Sequence, residues 1–164
     1  MIRRASVEDI PAIMEMAAVV FPETYRNILS REQLVFMMDM MYSEINLKHQ
    51  MTEAGQIFFI CDGRGYVSYR YEGMAEDGVD LFHLEKLYVM PSAQGSGLGR
   101  ELFEIVVKAA RESSIGSARI ELNVNRSNKA VAFYEHLGMT IARQGDFPIG
   151  EGFFMNDYIM AIDC

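Results

Sequence analysis

The run from Val89 to Arg100 constrains this chain more than any other segment: Met90-Pro91-Ser92-Ala93, then Gln94-Gly95-Ser96-Gly97-Leu98-Gly99-Arg100. The residues before it, Leu84 to Val89, are apolar and strand-like, and they meet a proline. Behind it, Leu98 to Lys108 reads as an amphipathic helix. Three glycines at alternate positions thus sit between a strand and a helix. Glycine lets the backbone approach a ligand closely, and a helix N-terminus presents unpaired N–H groups with a partial positive charge. The combination is an anion site suited to a phosphate or pyrophosphate.

Three kinds of glycine loop compete for this pattern. A P-loop needs Lys followed by Ser or Thr after its last glycine, whereas Gly99 is followed by Arg100-Glu101. A dinucleotide fingerprint starting at Gly95-x-Gly97 needs a third glycine at position 100, which is arginine. The pattern that fits is Gln94-x-x-Gly97-x-Gly99, preceded by Leu87-Tyr88-Val89-x-Pro91. A second block follows, Asn123-Val124-Asn125-Arg126-Ser127-Asn128-Lys129-Ala130, then Val131-Ala132-Phe133-Tyr134-Glu135-His136-Leu137-Gly138-Met139.

Together the two blocks resemble the GCN5-related N-acetyltransferase (GNAT) superfamily. Its signature Q/R-x-x-G-x-G/A cradles the pyrophosphate of acetyl-coenzyme A, and its second block reads N-x-x-A-x-x-F-Y-x-x-x-G-F, with Met139 here in place of Phe. The resemblance runs over essentially the whole chain. It implies an enzyme that moves an acetyl group from acetyl-CoA to a primary amine by direct attack. The donor-binding residues it implies are Leu87, Tyr88, Val89, Gln94, Gly95, Ser96, Gly97, Leu98, Gly99, Arg100, Asn123, Asn128 and Tyr134. In the family, the backbone at Leu87 and Val89 pairs with the pantetheine arm and polarises the thioester carbonyl; these donors are main-chain groups. Asn128 matches an asparagine that often bonds the pantetheine amide, and a simple helix cap is the competing reading.

Acetyl transfer asks for a neutral amine and a proton for the departing thiolate. An alkylamine of pKa near 10.4 is about 3 units from neutral at pH 7, so deprotonation costs roughly 4–5 kcal/mol. Glu85, on the strand that feeds the glycine loop and on the face of Leu87 and Val89, is the candidate base or amine-binding group. An ion pair or a solvated edge is the alternative, and recognition of substrate charge a further one. Tyr134 matches the family tyrosine that points at the thioester sulfur. A phenol near pKa 10 can protonate a thiolate near 8.5 at about 2 kcal/mol uphill; the alternative is a core aromatic beside Phe133. His83, two residues before Glu85, reads as structural or as a substrate contact. His49 and His136 sit near helix ends, where an imidazole suits the dipole. No third ligand falls at metal spacing, so no metal is expected.

Composition narrows the partners. The chain has 164 residues, half of them apolar, which is enough for one domain with a core and too short for two comfortable ones. The formal charge of −8 argues against nucleic acid. That field favours cationic substrates, and Glu72, Glu76, Asp77, Asp80 and Glu85 crowd one stretch that is either a solvated loop or a funnel for amines. No stretch suits a membrane span, and Met1-Ile2-Arg3-Arg4 leads into polar residues rather than a secretory core. Cys61 and Cys164 read as thiols of a reducing cytosol. The expected location is cytoplasmic.

The expected fold is α/β (α+β), a single domain over 1–164, with a mixed, mostly antiparallel sheet flanked by helices in the order β-α-α-β-β-β-α-β-α-β-β. Strands are expected at 1–5, 56–61, 66–71, 80–89, 118–124, 140–144 and 153–162. The first helix starts near Ser6-x-x-Asp9 and ends at Pro22; Ser30-x-x-Gln33 opens a long second one to about Gln50. A third runs from Leu98 to about Ser113 and a fourth from about Ser127 to Leu137, with Gly138 after its end.

Acceptor choice should rest on the early helices and last strands. Tyr25, Gln33, Glu85 and Asp157 are the candidate substrate residues; a surface-facing Asp157 is the alternative. The methionines around Met37 are either core or a pliable wall. Thr24-Tyr25, Leu29-Ser30, Gln33 and the late run 152–160 resemble a bacterial branch related to spermidine/spermine N-acetyltransferases, which implies a polyamine acceptor. An amino-acid or peptide N-terminus is the alternative. A non-catalytic acyl-CoA-binding sensor on the same fold is a further one. The sequence leaves the oligomeric state open; pairing through the last strands is common in the family, so a homodimer is one expected arrangement.

Overall fold

A computed structural model describes all residues from Met1 to Cys164. In chain order the elements are β1 (Ile2–Arg4), α1 (Ile10–Tyr25), α2 (Arg31–Tyr42), α3 (Glu44–Thr52), β2 (Ile57–Cys61), β3 (Gly65–Met74) and β4 (Asp80–Val89), then α4 (Leu98–Ser113), β5 (Ala118–Asn125), α5 (Ala130–His136), β6 (Thr140–Gly150) and β7 (Phe153–Asp163). Seven strands hydrogen-bond in the order β1-β2-β3-β4-β5-β7-β6. The pairs β1–β2, β2–β3, β5–β7 and β6–β7 are antiparallel. Strands β4 and β5 run parallel, registered from Asp80↔Ala118 to His83↔Glu121. A parallel pair needs a crossover, and the glycine loop with α4 supplies it. The sheet is therefore mixed and mostly antiparallel, as expected from the sequence.

By compactness the chain divides into two units, Met1–Arg70 with Glu85–Val106, and Tyr71–Leu84 with Val107–Cys164. The polypeptide passes from one to the other within β3, within β4 and within α4. The first unit buries Ile10, Ile13, Ala17, Val20 and Phe21 of α1 at helical spacing, with Leu47, Phe58, Ile60, Tyr66, Val67 and Leu102. The second buries Phe82, Ala110, Ile120, Leu122, Val124, Met139 and Met160.

Two helix boundaries depart from expectation. Proline 22 does not end α1, which continues to Tyr25. The missing N–H costs one bond near the helix end. Against it, Tyr25 stacks on fully buried Phe21 with ring centroids 4.6 Å apart, and Arg26 N–H donates to the Pro22 carbonyl at 2.9 Å. The expected long second helix is two helices. Ser43 is extended (φ −63°, ψ 151°), and its Oγ accepts from Asn46 N–H at 3.2 Å, capping α3. The Asn46 and Gln50 side chains donate to the carbonyls of Asp39 and Met41 at the end of α2, both at 3.0 Å. Side-chain hydrogen bonds from both helices thus span the break. Of the methionines in α2, Met37 is buried, while Met38, Met40 and Met41 are half-buried.

The last two strands are also longer than expected: β6 reaches Gly150. Gly145 and Pro148 disguise it, since both weaken a strand pattern. As the sheet's edge strand, β6 can hold a proline whose missing donor faces away from the ladder. Register shifts between Ile141 and Arg143 and between Pro148 and Gly150 further blunt that edge against strand addition.

Gly65 opens β3 for a steric reason. A Cβ there would lie 2.8 Å from the Tyr88 carbonyl oxygen and 3.2 Å from the Leu98 side chain. Alongside, Met90 N–H donates to the Arg64 carbonyl at 2.8 Å. This approach fixes the end of β4 from which the glycine loop departs. Gly65→Ala is expected to cost about 1–3 kcal/mol, since a backbone atom must move. At about 2–4 °C per kcal/mol for a chain of this size, differential scanning fluorimetry should read a clear drop. An unchanged melting temperature would show that the approach is slack.

Candidate active site

The glycine loop begins where β4 ends. Pro91–Ala93 forms a short 3₁₀ turn, with Ala93 buried, and Leu98 is buried at the start of α4. Between these anchors the residues from Gln94 to Gly97 are exposed. Gly95 and Gly97 have φ of 80° and 89°, and a Cβ at either would meet nothing within 4 Å. Glycine is required there by backbone conformation, not by space. The Ser96 hydroxyl donates to the Ala93 carbonyl at 2.5 Å and accepts from Leu98 N–H at 3.4 Å. Glu101 N–H bonds the Gly97 carbonyl at 3.1 Å, and the amides of Gly99 and Arg100 precede it in the first turn, where a helix has no internal acceptors. Gln94 Nε2 reaches back to the Val89 carbonyl at 3.5 Å. The Arg100 side chain is 58% exposed and sits 3.8 Å from Glu104. The loop thus presents main-chain donors, a helix N-terminus and an exposed guanidinium, the chemistry an oxyanion or pyrophosphate requires.

Strand β4 divides its residues by parity. Phe82, Leu84 and Lys86 are buried; Glu85, Leu87 and Val89 share the opposite, half-buried face with His83. Glu85 is not solvated alone: its Oε1 accepts from Arg70 Nε at 2.6 Å. In the same unit, the Tyr25 and Tyr88 hydroxyls are 3.3 Å apart, so this candidate substrate residue and this candidate coenzyme residue are in direct contact. Gln33 lies elsewhere along α2. Its amide N–H is capped by Ser30 Oγ at 3.1 Å, and its side-chain nitrogen faces Met37 Sδ at 3.8 Å.

In the second unit, Asn128 Oδ1 accepts from Ala130 N–H at 2.9 Å at the head of α5. Tyr134 is 6% exposed and packs edge-on against Phe133 at 5.3 Å. Asn123 Oδ1 meets His83 Nε2 at 3.0 Å, and Asn123 Nδ2 donates to Asp157 Oδ2 at 3.2 Å. Asp157 is 1% exposed, so the alternative of a surface-facing aspartate is excluded. Burial pushes its carboxyl above the usual range, against the Asn123 hydrogen bond and the nearby Arg126 charge. Arg126 ties the β5–α5 turn to β6, donating to the Gly145 carbonyl at 3.1 Å and to Asp146 at 2.9 Å.

The acidic stretch is compensated in part. Asp77 and Asp163 both bind Arg119, at 2.8 and 2.7 Å, and Asp80 accepts from the Tyr71 hydroxyl at 2.7 Å. Its steering of cations is weaker than the bare charges imply. Sequence reasoning missed Arg70, Arg126 and Lys86 as site-shaping residues. Of these, only Lys86 left a signal, its parity with Phe82 and Leu84. Cys61 is buried and Cys164 half-buried, both as free thiols. No helix is long and apolar enough to cross a membrane.

A strand ending in a glycine loop with left-handed glycines, a crossover helix and a parallel β4–β5 pair can be compared with known proteins as a unit. The description that matches is that of the acetyltransferase (GNAT) domain, over residues 23–144. The chain belongs to the GNAT acetyltransferase family. Among its GNAT relatives is an uncharacterized N-acetyltransferase in the pepI 3′ region of Lactobacillus delbrueckii subsp. lactis. That relative is 26% identical over 155 residues, covering 90% of this chain and 88% of that protein. The same fold is seen in PaiA N-acetyltransferase from Thermoplasma acidophilum in complex with coenzyme A, with TM-score 0.74, 22% identity, and 98% and 96% of the two chains covered. It is seen again in Arabidopsis thaliana NAA60 in complex with a bisubstrate analogue, with TM-score 0.71, 15% identity, and 100% and 98% covered.

Proposed function

We propose that this GNAT protein transfers the acetyl group of acetyl-CoA to a primary amine, without an acyl-enzyme. The observation that carries the reading is the exposed loop with Gly95 and Gly97 in left-handed backbone directly ahead of α4, in a chain whose GNAT match spans that loop. The loop residues Gln94 to Arg100 would hold the pyrophosphate, with the backbone of Leu87, Tyr88 and Val89 along the pantetheine arm and Asn123 and Asn128 as side-chain partners. Acetyl-CoA supplies an activated carbonyl. Glu85 draws the acceptor ammonium and assists its deprotonation, directly or through water, and Tyr134 gives a proton to the departing thiolate. Neither cysteine adjoins these residues in sequence, which supports direct attack.

Among amines, a polyamine fits best a chain of formal charge −8, with Tyr25, Gln33 and the neighbourhood of Asp157 shaping the acceptor end. Thiol release from acetyl-CoA, measured across polyamines, amino acids and short peptides, tests the reading. Uptake of acetyl-CoA without turnover on any amine would make the protein an acyl-CoA sensor instead. Tyr134→Phe should lower kcat about tenfold while changing the Kd of CoA less than threefold, because a thiolate is already a fair leaving group and only the acid is lost. Equal losses in turnover and binding would assign Tyr134 to packing.

A further inference from the structure

We propose that Arg70 is a specificity-determining residue for the acceptor. Its guanidinium, held on Glu85, disfavours amines that carry a second positive charge close to the reacting nitrogen, so an unsymmetrical polyamine is acetylated at the end of its longer methylene spacer. The inference rests on the reading above, in which Glu85 receives the acceptor ammonium, and it concerns which nitrogen reacts. Arg70, Glu85 and the glycine loop belong to the same compact unit.

The position of Arg70 follows from the burial of its strand. Residues Gly65 to Tyr69 of β3 are buried, Arg70 is half-buried, and Tyr71 and Glu72 are exposed. Arg70 thus stands where β3 leaves the core. Its Nε donates to Glu85 Oε1 at 2.6 Å, a short charge-assisted bond. The two side chains are 41% and 20% exposed, so the carboxylate is the deeper partner and the guanidinium the outer one. Lys86 follows Glu85 in the chain, but it is buried, with Nζ bonded to Gln50 and Gln56. The cation that bears on an amine arriving at Glu85 is therefore Arg70.

A carboxylate can accept from several donors, so an ammonium and the guanidinium can share Glu85. The shared site then holds two positive charges against one negative. A second ammonium on the acceptor feels Arg70 as an added repulsion that falls with distance, and each methylene between the nitrogens weakens it. Screening confines the effect to roughly 8 Å at physiological salt, so the nearest neighbouring nitrogen dominates. In spermidine that neighbour is three methylenes from one primary nitrogen and four from the other. The aminobutyl nitrogen is the one Arg70 favours for forming the C–N bond as the C–S bond of acetyl-CoA breaks. The intrinsic chemistry of the amine runs the other way. The aminopropyl nitrogen, nearer its charged neighbour, loses its proton more readily. An aminobutyl preference would therefore come from the protein.

The test is the product ratio from spermidine and acetyl-CoA, with the two monoacetyl isomers separated chromatographically. Wild type should give the aminobutyl product in about threefold excess or more. Arg70→Gln keeps a donor toward Glu85 without the charge, and its ratio should fall by about threefold or more. Arg70→Lys keeps the charge and should retain the wild-type preference. A ratio does not depend on how much of a variant is folded, so a merely structural role would leave it unmoved. In the same way, kcat/KM should rise from diaminopropane through diaminobutane to diaminopentane in wild type, and the rise should flatten in Arg70→Gln. An excess of the aminopropyl product in wild type, or an unchanged ratio in Arg70→Gln, overturns the proposal and leaves acetyl transfer standing. Amino acids acetylated in preference to spermidine would assign Arg70 to an acceptor carboxylate and overturn it as well. Turnover of other amines but not of spermidine overturns the polyamine reading and this proposal together. Uptake of acetyl-CoA with no turnover on any amine overturns acetyl transfer itself.

Discussion

Gly97→Val is expected to weaken acetyl-CoA binding at least thirtyfold while leaving the fold intact. Gly97 holds φ at 89°, a conformation a β-branched residue adopts only with strain, of order 1–3 kcal/mol. Nothing lies within 4 Å of the position its Cβ would take, so the loop can relieve the strain by rotating out of its present shape. The residues ahead of it, Gln94 to Ser96, are exposed, and the buried Leu98 behind it stays anchored in α4, so little core is disturbed. The cost therefore falls on the arrangement of main-chain donors, and about 2 kcal/mol there corresponds to a thirtyfold change in Kd. Calorimetry with acetyl-CoA and with CoA reads the change; thermal denaturation of the free protein should move by no more than a few degrees. Full affinity in the variant would remove the loop from the coenzyme site, and the function proposed for the chain would lose its main support.

Lys86→Met is expected to abolish one specific component of the pH dependence of stability. Lys86 is 3% exposed, with Nζ 2.8 Å from Gln50 Oε1 and 3.2 Å from Gln56 Oε1, above the rings of Phe58 and Tyr42. Burial pulls its pKa down to about 8, and the charge of Glu85 only partly opposes this. In the unfolded chain the group titrates near its ordinary 10.5. Between those values the unfolded state binds more protons, so this group makes stability rise with pH from about 8 to about 10.5. Below that window the full penalty of a buried cation is present.

Methionine removes the penalty and leaves Gln50 Oε1 without this donor, so the offset between variant and wild type at pH 7.5 is a balance of two opposed effects. Its change with pH is not. Relative to wild type, the variant should lose about 3 kcal/mol between pH 7.5 and 10.5, because only wild type gains stability from releasing that proton. Urea denaturation of both proteins at the two pH values measures this difference, and titrations common to both cancel. An identical offset at both would mean that Lys86 titrates normally in the fold.

What could be read from the chain were features whose physics is local. Gly95 and Gly97 announce an anion loop because the left-handed backbone it needs is supplied by those glycines alone. The parity of β4 placed Glu85 with Leu87 and Val89, since a strand has only two faces. The order of helices and strands followed from caps and periodicity, and the GNAT blocks from residues within a few positions of one another. Tertiary contacts decided the rest. Phe21 and Tyr25 carry α1 past Pro22, and Asn46 and Gln50 satisfy the break at Ser43. Arg70 claims an oxygen of Glu85, the Tyr88 carbonyl requires Gly65, and β5 brings Asn123 between His83 and Asp157. Each of these is a bond or a contact between residues that strand pairing or helix packing brings together, and its partner has no mark in the local pattern. Periodicity tells which way a side chain faces, while only the register of the sheet tells what it faces.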